Sequence, residues 1–431
     1  MSSRTPLGRA YVLASNISRE IRREGVPVDE LTLVGGVRRY APDVGEVALL
    51  ALAPATRHGQ IFSAIARLAS VSSATPRPPA GLTLSTLALS TPRGDITVHA
   101  AAPEQAGAAL VWHTGSRRHV ERLTRRAAER GLRFEDGLLT RNGSPLVTRA
   151  ETDVYAALGL PFIAPELRQG DEEFTAAAET RLPQLVADAH IRGDLHMHST
   201  WSDGRDRIED MVGAARQLGY EYVAITDHSQ RAMSSRTLAA DDVSRQRTEV
   251  EELRRRTPGI QILHGIEVDI MPDGTLDFDD TLLAGFDIVL ASLHDHAGHD
   301  REALTHRSLA AIAHPLVNVI SHPANRTAAM PAGYDLDFER IFAAAAETGT
   351  ALEIDGAPGH LDMDGPLARR AVTAGVTVTI DSDSHRAEWM GRQMRFGVGT
   401  ARRGWVEPQH VLNTRGVDEV RAFVARKRAR G

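Results

Sequence analysis

Beyond residue 190 the chain repeats one pattern seven times: a short apolar, strand-like run followed by a helix-like segment. The runs span 193–197, 222–226, 260–267, 287–293, 317–321, 351–354 and 376–380. Alternating strand and helix implies a parallel sheet, and seven or eight such units imply a closed α/β barrel whose strand carboxyl ends share one mouth. Polar residues recur at those ends. His196 and His198 end the first run, His228 follows the second, Glu267 ends the third, His294 the fourth, His322 the fifth, and Asp383 with His385 follow the seventh. Thirteen of the eighteen His lie beyond residue 190.

In His196-Met197-His198 the two imidazoles fall on one side of an extended strand, because side chains repeat with period two. Asp203 follows in a Gly-containing turn. A bare His-x-His more often only decorates a strand, and a core histidine satisfied by one hydrogen bond is the ordinary reading of any single member. Neither reading places a His or an acid at six of seven strand ends. With no Cys in the chain, a metal site has only His and carboxylates to use, and disulfide partners are excluded. Six His and three acids are too many for one ion and suit a cluster. His296, His299, His306 and His314 lack the strand-end placement and are not expected to be ligands. Arg205, Arg301 and Arg326 lie shortly after cluster residues and are candidates for holding phosphate oxygens, with an ordinary surface salt bridge as the alternative.

Residues 1–102 read as α/β. The periodicity predicts a helix over 7–23, strands over 31–35 and 47–52, a helix over 61–69, and strands over 82–89 and 95–100. The Pro- and Ser-rich stretch 71–81 is expected to be a surface loop. Residues 103–167 read as mostly helical, with an Arg-rich helix through Arg130 that is either a solvated face or a phosphate contact. Residues 172–189 read as a helical connector. The only Lys is Lys427, in a charged tail, which argues against Schiff-base chemistry in a dry pocket. A net charge of −6 gives no general pull toward nucleic acid. No stretch approaches the ~18 consecutive apolar residues of a membrane span, and the first residues lack the apolar core of a signal peptide. The expectation is a cytoplasmic protein with no membrane partner.

The segments Asp194-Leu195-His196-Met197-His198-Ser199, Thr226-Asp227-His228, Ser321-His322-Pro323 and Asp381-Ser382-Asp383-Ser384-His385 resemble the motifs of the polymerase-and-histidinol-phosphatase (PHP) domain. That resemblance implies a distorted (β/α)7 barrel over 191–431 carrying two or three divalent ions (Mn2+, Zn2+ or Fe2+). One ion would sit on His196, His198, Glu267 and Asp383, the residues expected to carry catalysis. Glu267 would bridge to a second ion on His294 and His322, and a third would take Asp203, His228 and His385. Three such ions against three carboxylates leave a pocket of about +3, which attracts phosphate even on an acidic protein. Coordination also lowers the pKa of water toward ~7. The implied activity is hydrolysis of a phosphate ester.

Pro6-Leu7-Gly8-Arg9-Ala10, Gly36-Val37-Arg38-Arg39, Thr114-Gly115-Ser116, 155–161 and 401–405 resemble the bacterial family X DNA polymerases that carry a C-terminal PHP domain. By that likeness 1–102 is a nucleotidyltransferase-like palm, 103–170 a small α-rich thumb and 171–190 a linker. Polymerase chemistry requires a triad of aspartates holding two metals. At the matching positions the chain has Glu46 and Ala48, and Asp95 is expected to be the one surviving acid, so nucleotide addition is not expected. The chain opens at the would-be palm without helix-hairpin-helix motifs, so 5′-deoxyribose-phosphate lyase activity is not expected either. The leading expectation is a 3′-5′ exonuclease or 3′-end phosphatase acting on DNA 3′ ends in repair. The alternatives are a phosphatase of a small phosphomonoester and a non-catalytic DNA-end binding protein with structural metals.

Overall fold

The computed structural model describes residues 4–77, 85–327 and 330–430. The chain divides into two compact units, Met1–Leu182 and Pro183–Gly431.

In the first unit the helix Leu7–Arg23 buries Leu7, Ala10, Leu13, Ala14, Ile17 and Ile21. These recur every three or four residues and form one apolar stripe. A five-stranded sheet has the order Glu30–Val34, Ala48–Leu52, Gly94–Ala101, Ser85–Thr91, Ser73–Arg77. The second and third of these pair in parallel and the other neighbours are antiparallel. The predicted loop over 71–81 is corrected in part. Ser73–Arg77 is an edge strand in which Pro76 faces Leu87, a place where a missing N–H costs the sheet little; 78–81, and the start of the strand expected over 82–89, lie outside the described residues.

Two further expectations need correction. Between the helices Arg117–Glu129 and Glu151–Ala157 the chain forms a three-stranded antiparallel sheet, Arg133–Glu135, Leu138–Arg141 and Ser144–Pro145. Its strands are too short for a period-two signal, and only the turn residues Asp136-Gly137 and Asn142-Gly143, all at positive φ, announce it. The connector over 172–189 is helical only at Glu173–Ala178 and in a single turn at Asp188–His190.

The second unit contains all seven expected strands: Gly193–Asp194, Tyr222–Ile225, Gln261–Asp269, Ile288–Ser292, Val319–Ile320, Ala351–Asp355 and Val378–Asp381. They form one parallel sheet in chain order. A bridge between Met197 and Ser384, with the His198 N–H donating to Ser384 O at 3.0 Å, brings its first and last strands together. The pleat sorts the side chains. Val223, Ile225, Ile262, Ile266, Val289, Ala291, Ile354 and Ile380 face the surrounding helices. Leu195, Tyr222, Ala224, Leu263, Ile288, Leu290, Val319 and Ala351 fill the interior together with Phe423 and Val424 of the helix Val417–Arg428.

Continuing each interior series by twos toward the carboxyl end converts apolar to polar: Leu263 leads to Glu267, Leu290 to Ser292, Val319 to Ser321 and Ala351 to Glu353 and Asp355. The same parity that fills the barrel therefore points these polar side chains into its mouth. Lys427 is not in a solvated tail. It lies in the helix Val417–Arg428, is buried, and donates to Ile312 O at 2.7 Å. No helix among the described residues is long and apolar enough to cross a membrane.

Candidate metal centre

All nine sequence-predicted ligands meet at the barrel mouth around Glu267, which is fully buried. Its Oε1 lies 2.8 Å from His322 Nε2 and 3.6 Å from His294 Nε2. Its Oε2 lies 2.7 Å from His228 Nδ1, 3.5 Å from His196 Nε2 and 3.6 Å from His198 Nε2. Asp383 Oδ1 approaches His198 Nε2 at 3.0 Å and His196 Nε2 at 3.7 Å. Asp203 Oδ1 stands 3.1 Å from His385 Nε2 and 3.6 Å from His228 Nε2. Ligand atoms cluster within 4.8 Å in the sets His198/Asp203/His228/His385, His196/His198/Asp383 and His228/Glu267/His294. His198 and His228 thus each touch two sets, a sharing that spacing along the chain could not disclose.

Neighbouring side chains orient these groups. Glu353 accepts from His196 Nδ1 and from the His322 N–H, both at 2.7 Å. This fixes the His196 tautomer that leaves Nε2 facing the centre. Asp227 accepts from Ser199 N (2.8 Å) and Oγ (2.7 Å), Ser202 N (3.1 Å) and Oγ (2.6 Å), and Gln246 Nε2 (2.6 Å), pinning the turn that leads into Asp203. Ser292 and Ser321 donate their hydroxyls to Glu267. Gly204 lets this turn fold against its own strand, since a Cβ there would lie 2.6 Å from the carbonyls of His198 and Ser199. Glu353 was legible only through strand parity, because the sixth run carries no terminal His.

Burial alone would raise Glu267 and Asp383, yet the imidazoles around them hold both carboxylates well below their usual range. Burial would lower His196, but Glu353, Glu267 and Asp383 hold it well above its ordinary value. His322 and His385 are likewise held up to about 9 by Glu267 and Asp203. His198 goes the other way, to about 3, through burial and the neighbouring His228 and His385. The acids therefore require cationic neighbours, which protons on imidazole supply here. Divalent ions fit the same set. Asp203 Oδ1, Glu267 Oε2 and His228 Nδ1 are buried and lack a hydrogen bond of normal geometry, and mixed imidazole and carboxylate donors suit Zn2+, Mn2+ or Fe2+.

Of the three arginines, Arg205 is exposed beside the centre, its backbone N–H donating to His385 O at 2.8 Å. Arg301 pairs with Asp335 and Asp337, both at 3.8 Å, and Arg326 with Pro331 O (2.9 Å) and Asp364 (3.5 Å). Arg301 therefore makes the exposed pairing weighed as its alternative, whereas the Arg326 side chain is largely buried against its two partners. His314 pairs with Asp280, and His296 packs edge-on against Tyr334.

In the first unit Ala48 pairs with Thr97, and Thr97 Oγ1 donates to Glu46 at 2.6 Å. Asp95 is corrected as a member of this set. It sits by the hairpin between the two long strands, exposed, and accepts from Ser90 Oγ at 2.8 Å. Thr97, two residues on, takes the position facing Glu46, because neighbours on one strand face repeat every second residue. His99 stacks on His113 at 3.8 Å nearby, and burial pushes its imidazole down to about 4.

Comparison with known proteins agrees with this geometry. The PHP domain matches residues 194–355, and the DNA polymerase beta thumb matches 109–169. The DNA polymerase/3′-5′ exonuclease PolX of Bacillus subtilis is 38% identical over 325 residues, 75% of this chain. The chain belongs to the family X polymerases that carry a PHP domain. This PHP-bearing family X chain spans 56% of the length of that Bacillus relative. Its barrel is also similar to shorter proteins. A probable phosphatase of Shewanella sp. MR-4 is 33% identical over 46% of this chain and 78% of its own length. A probable phosphatase of Thermoanaerobacter sp. X514 is 28% identical over 57% of this chain and 96% of its own.

Proposed function

We propose that the second unit is a metal-dependent phosphoesterase acting on DNA 3′ ends as a 3′-5′ exonuclease or 3′-end phosphatase in repair. The observation that carries this reading is the gathering of six imidazoles and two further carboxylates, from six of seven strand ends, around the buried Glu267. His196, His198, Glu267 and Asp383 would hold one ion, Glu267 with His294 and His322 a second, and Asp203, His228 and His385 a third. When bound, such ions neutralise phosphoryl oxygens and make water acidic enough to be a nucleophile near neutral pH. The protein's own part is positional. Glu353 holds the Nδ1 proton of His196 and so turns Nε2 toward the centre, Asp227 holds the Asp203 turn in place, and Arg205 at the rim offers a guanidinium to an adjacent phosphate. The first unit would serve as a palm and thumb that dock DNA without adding nucleotides, because Glu46 is engaged by Thr97 and Ala48 offers no ligand.

The match to probable phosphatases over most of their length supports a second reading, hydrolysis of a small phosphomonoester by the same centre. A turnover panel decides between them. The chain, loaded in turn with Mn2+, Zn2+ and Fe2+, is given labelled oligonucleotides with 3′-hydroxyl or 3′-phosphate ends and common phosphomonoesters, beside His198→Ala and Asp383→Asn. Oligonucleotide turnover that both variants abolish supports the DNA reading, and turnover of monoesters alone supports the second. No turnover of either class under any loading refutes both. Primer extension on gapped DNA with Mn2+ tests the loss of polymerase chemistry.

A further inference from the structure

The sixth strand, Ala351–Asp355, is the one whose run ends without a His or acid in the nine-residue set, yet it sends two carboxylates into the mouth. Glu353 is satisfied by His196 and His322. Asp355 is not. It is fully buried; its Oδ1 accepts from the Ala357 N–H at 2.6 Å, and its Oδ2 has no hydrogen-bond partner. The charges nearest it include Asp383 and Glu353, which are like charges. A buried carboxylate beside two others, with the opposing His196 charge already shared among Glu353, Glu267 and Asp383, is costly to keep.

A donor of the right kind stands opposite. His360, in the turn that follows the strand, stacks on His322 at 4.9 Å, and its Nδ1 is buried without a partner. One ligand atom from each of Asp355, His360 and Asp383 lies within 4.8 Å of the others. Two carboxylates and one imidazole converging on one point, with unpaired atoms on two of the three, are a cation's donor set.

We propose that Asp355, His360 and Asp383 hold a further divalent cation, next to the nine-residue cluster and joined to it through Asp383. The proposal rests on the metal-centre reading only through that shared carboxylate. Three protein ligands leave coordination positions open, so the ion would extend the positive floor of the mouth along the side where the sixth strand ends. It would also add positive charge beside the two like charges that face Asp355.

Metal stoichiometry tests this without reference to turnover. The full chain is stripped with chelator, dialysed against Mn2+ or Zn2+, and its bound metal measured by elemental analysis beside Asp355→Asn and His360→Gln. His360 is only partly buried, so its variant keeps the test decisive if Asp355→Asn disturbs folding, which circular dichroism would reveal. The expected result is one equivalent per chain fewer in each folded variant, with the other equivalents bound within about threefold of the parent affinity. Full parent stoichiometry in the folded variants overturns the proposal and leaves Asp355 as a proton-bearing acid. If the parent chain itself binds no metal, the proposed function falls as well, so the two failures are distinguishable.

Discussion

Replacing Glu353 by Gln tests whether the centre depends on the groups behind its ligands. The carboxylate accepts two hydrogen bonds at 2.7 Å, from His196 Nδ1–H and from the His322 N–H. A carboxylate can accept both, whereas an amide has one acceptor oxygen and one NH2 group. If the amide oxygen keeps the His322 N–H, the NH2 faces His196 Nδ1. That stabilises the opposite tautomer and puts a proton on Nε2, the atom 3.1 Å from His198 Nε2 at the centre. If the oxygen keeps His196, two N–H donors face each other at His322. The first arrangement keeps both bonds but with the wrong tautomer, and the second strands a pair of buried donors at about 1–3 kcal/mol; either is expected to give the 10- to 100-fold fall in metal affinity typical of such changes. Competition with a chelating dye should show that fall for Mn2+ or Zn2+, and hydrolysis should recover at correspondingly higher metal. Unchanged affinity in a folded Glu353→Gln chain would refute the argument that Glu353 fixes the His196 tautomer.

Four other outcomes are expected. Gly204→Ala, whose Cβ would meet backbone at 2.6 Å, should displace the Asp203 turn and weaken metal uptake in dye competition while leaving the far-ultraviolet spectrum unchanged. In the first unit Arg168 is fully buried and bonds Glu151 at 2.6 Å, while Arg38 binds the same carboxylate at 2.7 Å. Glu151→Ala strands the buried guanidinium, so denaturant unfolding should show a loss of about 3–5 kcal/mol. Burial pushes Glu151 up, but Arg38 and Arg168 more than offset it and hold the folded value below the unfolded 4.5. Its contribution is therefore present above that pH and lost as pH falls through the folded value; acid titration of stability should be shallower in Glu151→Gln. Lys427 has the opposite sense: burial lowers it from 10.5 to about 8, so the unfolded chain holds more protons between those values and stability rises with pH across that window. Lys427→Met should remove that rise from melting curves recorded between pH 7.5 and 10.5.

The periodicity of this chain determined much by itself. Seven strand-like runs with polar termini are enough to require a parallel barrel with one reactive mouth, because strand direction and pleat carry the sequence pattern directly into space. That is why the other eight residues read from the strand ends lie together around Glu267. Only the tertiary structure decided which partners complete them. Glu353 and Asp355 belong to a strand with no terminal His, and Asp227 works through the hydroxyls of Ser199 and Ser202 on a turn that follows a different strand; neither role shows as a polar residue closing its own run. Asp95 failed for a related reason, since a strand pattern cannot show where a hairpin ends, and two residues of register move the facing position to Thr97. Local sequence fixes which face a side chain takes, whereas the pairing between distant strands fixes what it meets there.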